Sequence, residues 1–335
     1  MSVVVTGGAG FIGANLCRRL TADGHTVTVL DDLSSGSRTN LDGLDVELVE
    51  GSILDRAALD VAFRDATAIV HLAARTSVPR SVDEPVATHA VNATGTLEVL
   101  EAARRTGSVP ERRTGSVPER RTGNPHVIVA SSASVYGANP ALPRREDLAP
   151  LPMSPYAASK LATEAYALAY QHAYGLPVLA FRFFNVFGPL QSAAHAYAAV
   201  VPMFMAAAID GRPLVVHGDG LQTRDFTFVD SVTGLIADAL ARGVVSAEPV
   251  NIAFGTRTSI VTLARMVEEI AAIPLTIEHV EARVGDVRDS EGDSTRLRAL
   301  FPDLAPVDLR DALRTTFEWF RAEQLASRPA AEASG

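Results

Sequence analysis

Short runs of β-branched and apolar residues recur along the first half of the chain, and segments long enough for amphipathic helices follow them. Strands that are apolar on both faces and separated by helices belong to parallel sheets covered on each side, so this order predicts an α/β fold with a doubly wound parallel sheet. Ligands of such a sheet bind beyond the carboxyl ends of its strands. The predicted strands are Val3–Thr6, Thr26–Asp31, Val46–Gly51, Ala68–Ala74, His126–Ser132 and Val178–Phe184.

Composition and charge limit the kinds of partner. The formal net charge of -9 lacks the basic field that draws in nucleic acids or anionic membranes, so we expect neither. The single cysteine, Cys17, permits no internal disulfide, and the N-terminus runs directly into a strand without a signal peptide, which predicts a cytoplasmic protein. His71 and His217 have no companions at metal-ligand spacing, so we interpret them as structural and expect no metal.

An exact repeat interrupts this pattern between the predicted helix Asn92–Arg105 and the strand that begins at His126. The block RRTGSVPE occurs twice, at Arg104–Glu111 and Arg112–Glu119, and a third copy breaks off after RRTG. It offers no apolar face, so we predict a surface loop inserted over residues 104–123. Long surface insertions add little loop-closure entropy, which favours a tolerated duplication over the alternative, a partner-binding role.

The first predicted strand leads into TGGAGFIG, a glycine-rich turn that opens a helix. Gly7, Gly10 and Gly13 lie three residues apart, so the backbone can approach a pyrophosphate at the helix N-terminus. Such a turn alone is weak evidence, but Asp31 ends the second strand, where a carboxylate can accept both ribose hydroxyls of an adenosine. Together these features predict a dinucleotide site, and the acidic residue favours NAD over NADP.

A second cluster, SPYAASK, places a tyrosine and a lysine on one helix face. Ser154 is a good N-cap, Pro155 a good first helical residue and Gly175 a good stop, so Tyr156 and Lys160 lie one turn apart. The segment ASSASVYG ends the preceding strand and brings two adjacent serines, 131 and 132, to the same rim.

These motifs resemble the extended short-chain dehydrogenase/reductase family, and within it the nucleotide-sugar 4-epimerases of the UDP-galactose/UDP-N-acetylglucosamine type. The resemblance runs over nearly the whole chain except the repeat and a short tail. It implies a Rossmann domain that binds NAD, a smaller C-terminal domain that binds a UDP-sugar, and a homodimer. It rests on TGGAGFIG, HLAA, SSASVYG, YAASK, FRFFNVFGP, HGDGLQTRDFTFVD and RVGDVRDS.

The resemblance also implies roles for individual residues. Tyr156 would be the base for the sugar O4 proton; because an isolated tyrosine has a pKa of about 10, Lys160 and the positive nicotinamide are expected to favour its phenolate. Ser132 would hydrogen-bond the same oxygen that Tyr156 deprotonates, the sugar O4, and Ser131 is the alternative residue for this role. Cofactor contacts are implied for Gly7, Gly10, Phe11, Ile12, Gly13, Asp31, Asp32, Ser35, Ser52, Ile53, Leu72, Ala73, Ala74, Asn92, Tyr156, Lys160 and Phe183. Substrate contacts are implied for Ser132, Asn185, Gln191, Arg224, Arg283, Asp286 and Ser290.

The expected reaction is NAD-dependent C4 epimerisation through a transient 4-keto sugar. Related dehydratases carry an Asp-Glu pair where this chain has Ala133 and Ser134, so elimination and uronate decarboxylation are disfavoured. Cys17 lies behind the glycine turn, which argues against an epimerase/reductase that needs a cysteine near the sugar. A cofactor-sensing regulator on the same fold remains an alternative, although this chain keeps the catalytic tyrosine.

The sugar is read from the residues around it. Ser290 replaces a bulky tyrosine of glucose-restricted relatives and leaves room beside C2, and Ser192 stands where uronate-acting relatives carry an arginine. We therefore rank UDP-N-acetylglucosamine and UDP-glucose above UDP-glucuronate, for which His195 or Arg75 could still meet the C6 carboxylate. The chain departs from the family at Ser52 and Thr76, where an adenine contact and a cofactor tether are in doubt. Residues 1–180 are expected to form the NAD-binding domain, with 225–255 returning to it, and 181–330 mainly the substrate domain.

Overall fold

Seven parallel strands form one sheet in the computed structural model, which describes residues 1–107, 123–193, 199–282 and 288–327. Their order across the sheet is β11-β6-β5-β4-β1-β2-β3, which confirms the predicted doubly wound topology. Two predicted strands have the expected bounds, the others differ by one to three residues, and β11 was missed. The strands are β1 Ser2–Thr6, β2 Thr26–Asp31, β3 Val46–Glu50, β4 Ala68–His71, β5 His126–Ser132, β6 Val178–Phe183 and β11 Val250–Ile252.

Helices cover both faces of the sheet. One layer is α1 Phe11–Ala22, α8 Val229–Arg242 and α10 Thr295–Leu300, and the other is α2 Arg56–Ala62, α5 Gly95–Gly107 and α6 Pro155–Tyr174. Alternate residues of one strand enter different cores: Val3 and Val5 pack under α1 and α8, whereas Val4 packs under α2 and α5. This two-residue alternation is the pattern of a strand buried on both faces.

A separate core, distinct from the two on the faces of the sheet, lies in the C-terminal part of the described chain. It is built by three helices, and three two-stranded sheets accompany them, one of which pairs β7 with β10. The helices are α7 Val200–Ile209, α9 Ile260–Ala271 and α11 Leu309–Ser327. The small strands are β7 Asn185–Phe187, β8 Leu214–His217, β9 Thr223–Arg224, β10 Phe226–Phe228, β12 Thr258–Ser259 and β13 Ile277–Val280. Short helices α3 Val78–Asp83 and α4 Pro85–His89 complete the set.

The predicted division at residue 180 falls inside β6 of the central sheet. Three later elements also belong to the Rossmann-like part of the chain. Strand β11 pairs with β6 in the central sheet, while α8 and Leu297 of α10 pack with α1 in the core on one face of that sheet. After residue 180 the chain thus passes several times between the central sheet with its helices and the C-terminal core. The exact domain limits stay a prediction.

The repeat segment is described only at its edges, because residues 108–122 lie outside the described part of the chain. The predicted loop start is wrong: Arg104–Gly107 are the last turn of α5, where Arg104 pairs with Glu101 at 2.8 Å and lies 5.2 Å from the centre of the Tyr174 ring. The contacts of Arg104 with Glu101 and Tyr174 hold the C-terminal turn of α5 in the helical conformation. The predicted start at Asn92 instead falls within a π-helical turn, Ala90–Thr94.

Among the helices of the described ranges, none is long and apolar enough to cross a membrane.

Candidate active site

Helix α6 presents the predicted tyrosine and lysine as the sequence indicated. Ser154 Oγ accepts a hydrogen bond from the Ala157 N–H at 3.1 Å, and Gly175 ends the helix in the left-handed conformation with φ 66°. Tyr156 and Lys160 lie one turn apart at the start of this helix. The N-cap and the terminal glycine therefore set where the tyrosine stands relative to the neighbouring strand.

The two serines at the end of β5 face different partners. Ser131 is 2% exposed, and its hydroxyl donates to Glu164 Oε2 of α6 at 2.9 Å. The Ser132 side chain lies within reach of the Tyr156 hydroxyl, whose pKa it lowers. The structure thus brings Ser132, and not Ser131, to the tyrosine, which separates two residues that the sequence left as alternatives.

Burial dominates the electrostatics of this pair. It raises the pKa of Tyr156 above its ordinary value, and the hydrogen bond from Ser132 acts in the opposite direction. Burial lowers the pKa of Lys160 to about 8, and Lys160 Nζ donates to the Ala130 carbonyl at 2.8 Å. Of the two effects on the pKa of Tyr156, only that of Ser132 favours the phenolate.

A buried ion pair holds the back of α6. Arg182 of β6 donates through Nε and Nη2 to the two oxygens of Glu164, at 2.9 and 2.6 Å, and both side chains are almost fully buried. The guanidinium also lies 4.7 Å from the centre of the Tyr136 ring, whose hydroxyl donates to Asn251 Oδ1 at 2.7 Å. These contacts join α6, β6, β11 and the 3₁₀ helix Ala133–Tyr136 that follows β5.

His71 lies in a network of threonine hydroxyls. Its Nδ1 is 2.7 Å from Thr6 Oγ1 and its Nε2 is 3.0 Å from Thr96 Oγ1. Burial, with a smaller effect of the Lys160 charge, lowers the pKa of His71 to about 3, so the ring is neutral. This environment agrees with the structural role expected from the sequence.

The glycine turn between β1 and α1 forms a cradle that side chains would fill. Gly7 has φ 72°, and a β-carbon built on it would lie 2.7 Å from the Ala73 nitrogen. A β-carbon on Gly13 would lie 2.2 Å from the Gly7 carbonyl oxygen, so this glycine lets helix and turn pack closely. Gly10 is the N-cap of α1 and has no side chain to cap the first turn. This arrangement fits a pyrophosphate at the helix N-terminus.

Asp31 supports that turn. Its Oδ2 accepts from the Ala9 N–H at 2.9 Å and its Oδ1 from the Leu33 N–H at 2.8 Å. Burial is the largest cause of its raised pKa. Each oxygen keeps a lone pair, so the side chain can hold the turn and still accept hydroxyls of a ribose.

Most of the other predicted cofactor residues lie at or just after the carboxyl ends of the strands. The side chains of two of them, Ile53 and Asn92, make contacts within the protein instead. Ile53 is buried, and its Cδ1 would lie 2.5 Å from a β-carbon on Gly95, so its side chain packs in the protein. The Asn92 amide pairs with both backbone groups of Arg75 and with Ser159 Oγ. Phe11 and Ile12 begin α1, and Asp32, Ser35, Ser52, Leu72, Ala73, Ala74 and Phe183 end or follow β2, β3, β4 and β6.

Asp225, which the sequence analysis did not single out, is hydrogen-bonded to the predicted substrate residue Asn185. Its carbonyl accepts from the backbone and side-chain N–H groups of Asn185, both at 3.2 Å. Its buried carboxylate, whose pKa burial raises, accepts from Gly255 N–H at 3.0 Å, Thr256 Oγ1 at 3.0 Å and Gly292 N–H at 3.2 Å. In the sequence, the position of this aspartate between Arg224 and the apolar strand β10 could have indicated a buried carboxylate.

The predicted substrate residues Arg224 and Ser290 lie near Asp225, in two neighbouring segments of the chain. Thr223 forms a bridge with Asp289, and the Ser290 N–H donates to the Thr223 carbonyl at 3.1 Å, so the two predicted residues share one edge. Gln191 Nε2 donates to the Val186 carbonyl at 3.3 Å, whereas its buried Oε1 has no hydrogen-bond partner in the described ranges. Arg283, Asp286 and His195 lie outside the described residues.

No group of three or more His, Cys, Asp or Glu side chains that could hold a metal occurs within the described ranges.

Comparisons with known proteins agree with this geometry. The NAD dependent epimerase/dehydratase family matches residues 3–253. A UDP-glucose 4-epimerase of Mycolicibacterium smegmatis is 38% identical over 96% of this chain and 99% of its own. A UDP-glucuronic acid decarboxylase 1 of Xenopus tropicalis is 30% identical over 96% of this chain and 72% of its own. The structure of a UDP-N-acetylglucosamine 4-epimerase from Methanobrevibacter ruminantium, in complex with UDP-N-acetylmuramic acid, has a TM-score of 0.86 at 32% identity, covering 96% of this chain and 98% of that one.

Proposed function

We propose that this chain, which belongs to the NAD-dependent epimerase/dehydratase family, epimerises C4 of a UDP-hexose through a transient 4-keto sugar. The two substrate pairs we favour are UDP-N-acetylglucosamine with UDP-N-acetylgalactosamine, and UDP-glucose with UDP-galactose. The family is NAD-dependent, and the glycine cradle and Asp31 fit that cofactor.

The residues of the chain suit the proton chemistry of this reaction. NAD, when bound, supplies the acceptor and later the donor for the C4 hydride. Tyr156 takes the O4 proton and returns it to the opposite epimer. Because burial raises the pKa of Tyr156, its phenolate depends on positive charge near it and on the hydrogen bond from Ser132.

The observation that carries the proposal is the segment that follows the catalytic serine. By the family resemblance, Ala133 and Ser134 stand where related dehydratases carry the Asp-Glu pair that serves as acid and base in elimination. Glu164, the buried carboxylate on α6, has both oxygens engaged by Arg182 and Ser131. Among the described residues of this rim, Tyr156 and Ser132 are thus the acid–base groups we assign, and they suit epimerisation rather than dehydration.

UDP-glucuronate 4-epimerisation is the second candidate, and Arg75 favours it. The Arg75 backbone is fixed by Asn92, just after the predicted cofactor residues Leu72–Ala74. Its Nη2 pairs with Glu84, while its buried Nε has no partner in the described ranges. A C6 carboxylate is the kind of group that such a donor would bind.

The test is to incubate the protein with UDP-N-acetylglucosamine, UDP-glucose and UDP-glucuronate separately and follow C4 stereochemistry by NMR. Conversion of a neutral sugar to its 4-epimer supports the first proposal. Turnover of UDP-glucuronate alone, abolished in Arg75→Gln, supports the second. Loss of water or of carbon dioxide from any of the three contradicts both.

Homodimer formation and a cytoplasmic location stay predictions. Sedimentation of the NAD-loaded protein tests the first, and fractionation of the source cells tests the second.

A further inference from the structure

Ser134 contacts Ser132 through two different groups. Ser132 is the N-cap of the short 3₁₀ helix Ala133–Tyr136, in an extended conformation with φ -151° and ψ 147°. Its Oγ accepts from the Ser134 N–H at 3.1 Å and from the Ser134 hydroxyl at 2.9 Å. The first bond is an ordinary helix cap, whereas the second involves a side chain to which the proposed reaction gives no role.

Counting donors and acceptors shows what the second bond does. A serine hydroxyl has one hydrogen to donate and two lone pairs to accept with. Both lone pairs of Ser132 Oγ are taken by Ser134, so its single hydrogen is left to donate to the Tyr156 oxygen, the neighbouring group whose pKa Ser132 lowers. Ser132 is therefore a fixed donor, which stabilises a phenolate and does not stabilise a neutral phenol to the same degree.

We propose that Ser134 is a positioning residue that fixes Ser132 as a hydrogen-bond donor to the Tyr156 phenolate. The inference rests on the proposed function, because the phenolate is the base of that reaction. Ser134 acts through Ser132 and touches neither the proton in transit nor the hydride. Ser132 keeps its own hydrogen while the sugar proton passes to and from Tyr156.

Ser134→Ala isolates the hydroxyl, because the alanine keeps the N–H that caps the 3₁₀ helix. Losing one hydrogen bond of ordinary strength should raise the pKa of Tyr156 in the NAD-loaded protein by about half a unit to one unit. The same loss should lower kcat by about threefold to tenfold with little change in KM. Ser134→Thr, which keeps the hydroxyl, should restore both values.

The measurement is a spectrophotometric pH titration of tyrosinate in NAD-loaded protein without sugar, with the Tyr156 signal assigned by subtracting Tyr156→Phe. Thr262→Ala is the matched control. It removes a hydroxyl that lies 2.7 Å from another N-cap serine, Ser259, on the exposed side of α9, and should change neither value. In a Ser132→Ala background, Ser134→Ala should have no further effect, because its route runs through Ser132.

An unchanged Tyr156 titration in Ser134→Ala overturns the inference, whatever happens to kcat. A full additional effect of Ser134→Ala in the Ser132→Ala background also overturns it, since Ser134 would then act by another route. A wild-type protein that titrates as expected but epimerises none of the three sugars contradicts the proposed function. The inference about Ser134 is then decided by the titration alone.

Discussion

The Ser131 hydroxyl donates to the Glu164 carboxylate over 2.9 Å, and this bond ties the end of β5 to helix α6. Ser132 is the next residue on the strand, and Lys160 lies one turn before Glu164 on the helix. Arg182 completes the contact with two further hydrogen bonds to the same carboxylate. Buried groups that neighbour Ser132 and Lys160 in the chain therefore help to set the position of strand β5 relative to helix α6.

Removing the charge of Glu164 should be strongly destabilising. Glu164→Gln leaves the Arg182 guanidinium buried without its counter-charge, which is expected to lower the free energy of unfolding by about 3 to 5 kcal/mol. Urea unfolding measures this change. Glu98→Gln is the control, because Glu98 pairs with Arg56 in a similar geometry but Arg56 is 73% exposed, and about 1 kcal/mol or less should be lost. Equal losses in the two variants would show that burial of the Glu164 pair has no special weight.

His71 should make the fold sensitive to acid. Its folded pKa of about 3 lies below the ordinary value of 6.5, so between these pH values the unfolded chain binds a proton that the folded chain does not. Stability contributed by the neutral ring is present above pH 6.5 and is lost as the pH falls toward 3, by at most about 1.4 kcal/mol per pH unit.

The measurement is urea unfolding between pH 7 and pH 4 for the wild type and for His71→Asn, which keeps a donor and an acceptor. The variant is expected to show a shallower loss of stability on acidification. His172→Asn, on the exposed side of α6, is the control and should follow the wild type. Parallel curves for all three proteins would mean that His71 takes up its proton in the folded state.

Deleting Arg104–Glu119 should leave the enzyme nearly intact. Because the repeat is exact, the RRTG at 120–123 replaces Arg104–Gly107, so the last turn of α5 keeps its sequence. A β-carbon built on Gly107 would lie 3.0 Å from the Asn124 Cα, so the residues to be joined are already neighbours. Melting temperature and turnover should stay close to the wild type. A large fall in either would show that the repeat packs against the folded chain or takes part in the site.

Much of this architecture could be predicted from local patterns. Strand β5 and helix α6 have the predicted bounds because the continuous apolar run, the Ser154 cap and the Gly175 stop all act within a few residues. Strand β11 was missed because three residues carry no readable period.

The remaining differences depend on contacts between distant parts of the chain. Adjacent strand residues point to opposite sides, but only the packing of α6 decides that Ser131 meets Glu164 while Ser132 meets Tyr156. Asp225 was missed for the same reason, since its partners Gly255 and Gly292 are remote in sequence. The last turn of α5 depends on Tyr174, which no local rule connects with Arg104.

The most direct test of the account follows a deuterium label placed at C4 of UDP-N-acetylglucosamine or UDP-glucose. If Tyr156 moves only the O4 proton and the hydride returns to the carbon it left, the 4-epimer keeps the deuterium at C4 and takes up no hydrogen from solvent. Tyr156→Phe should lower the rate by about a hundredfold or more while NAD stays bound, because only the ionisable oxygen is lost. Label that is washed out to solvent or found at C6, or a Tyr156→Phe variant that turns over normally, would contradict the account.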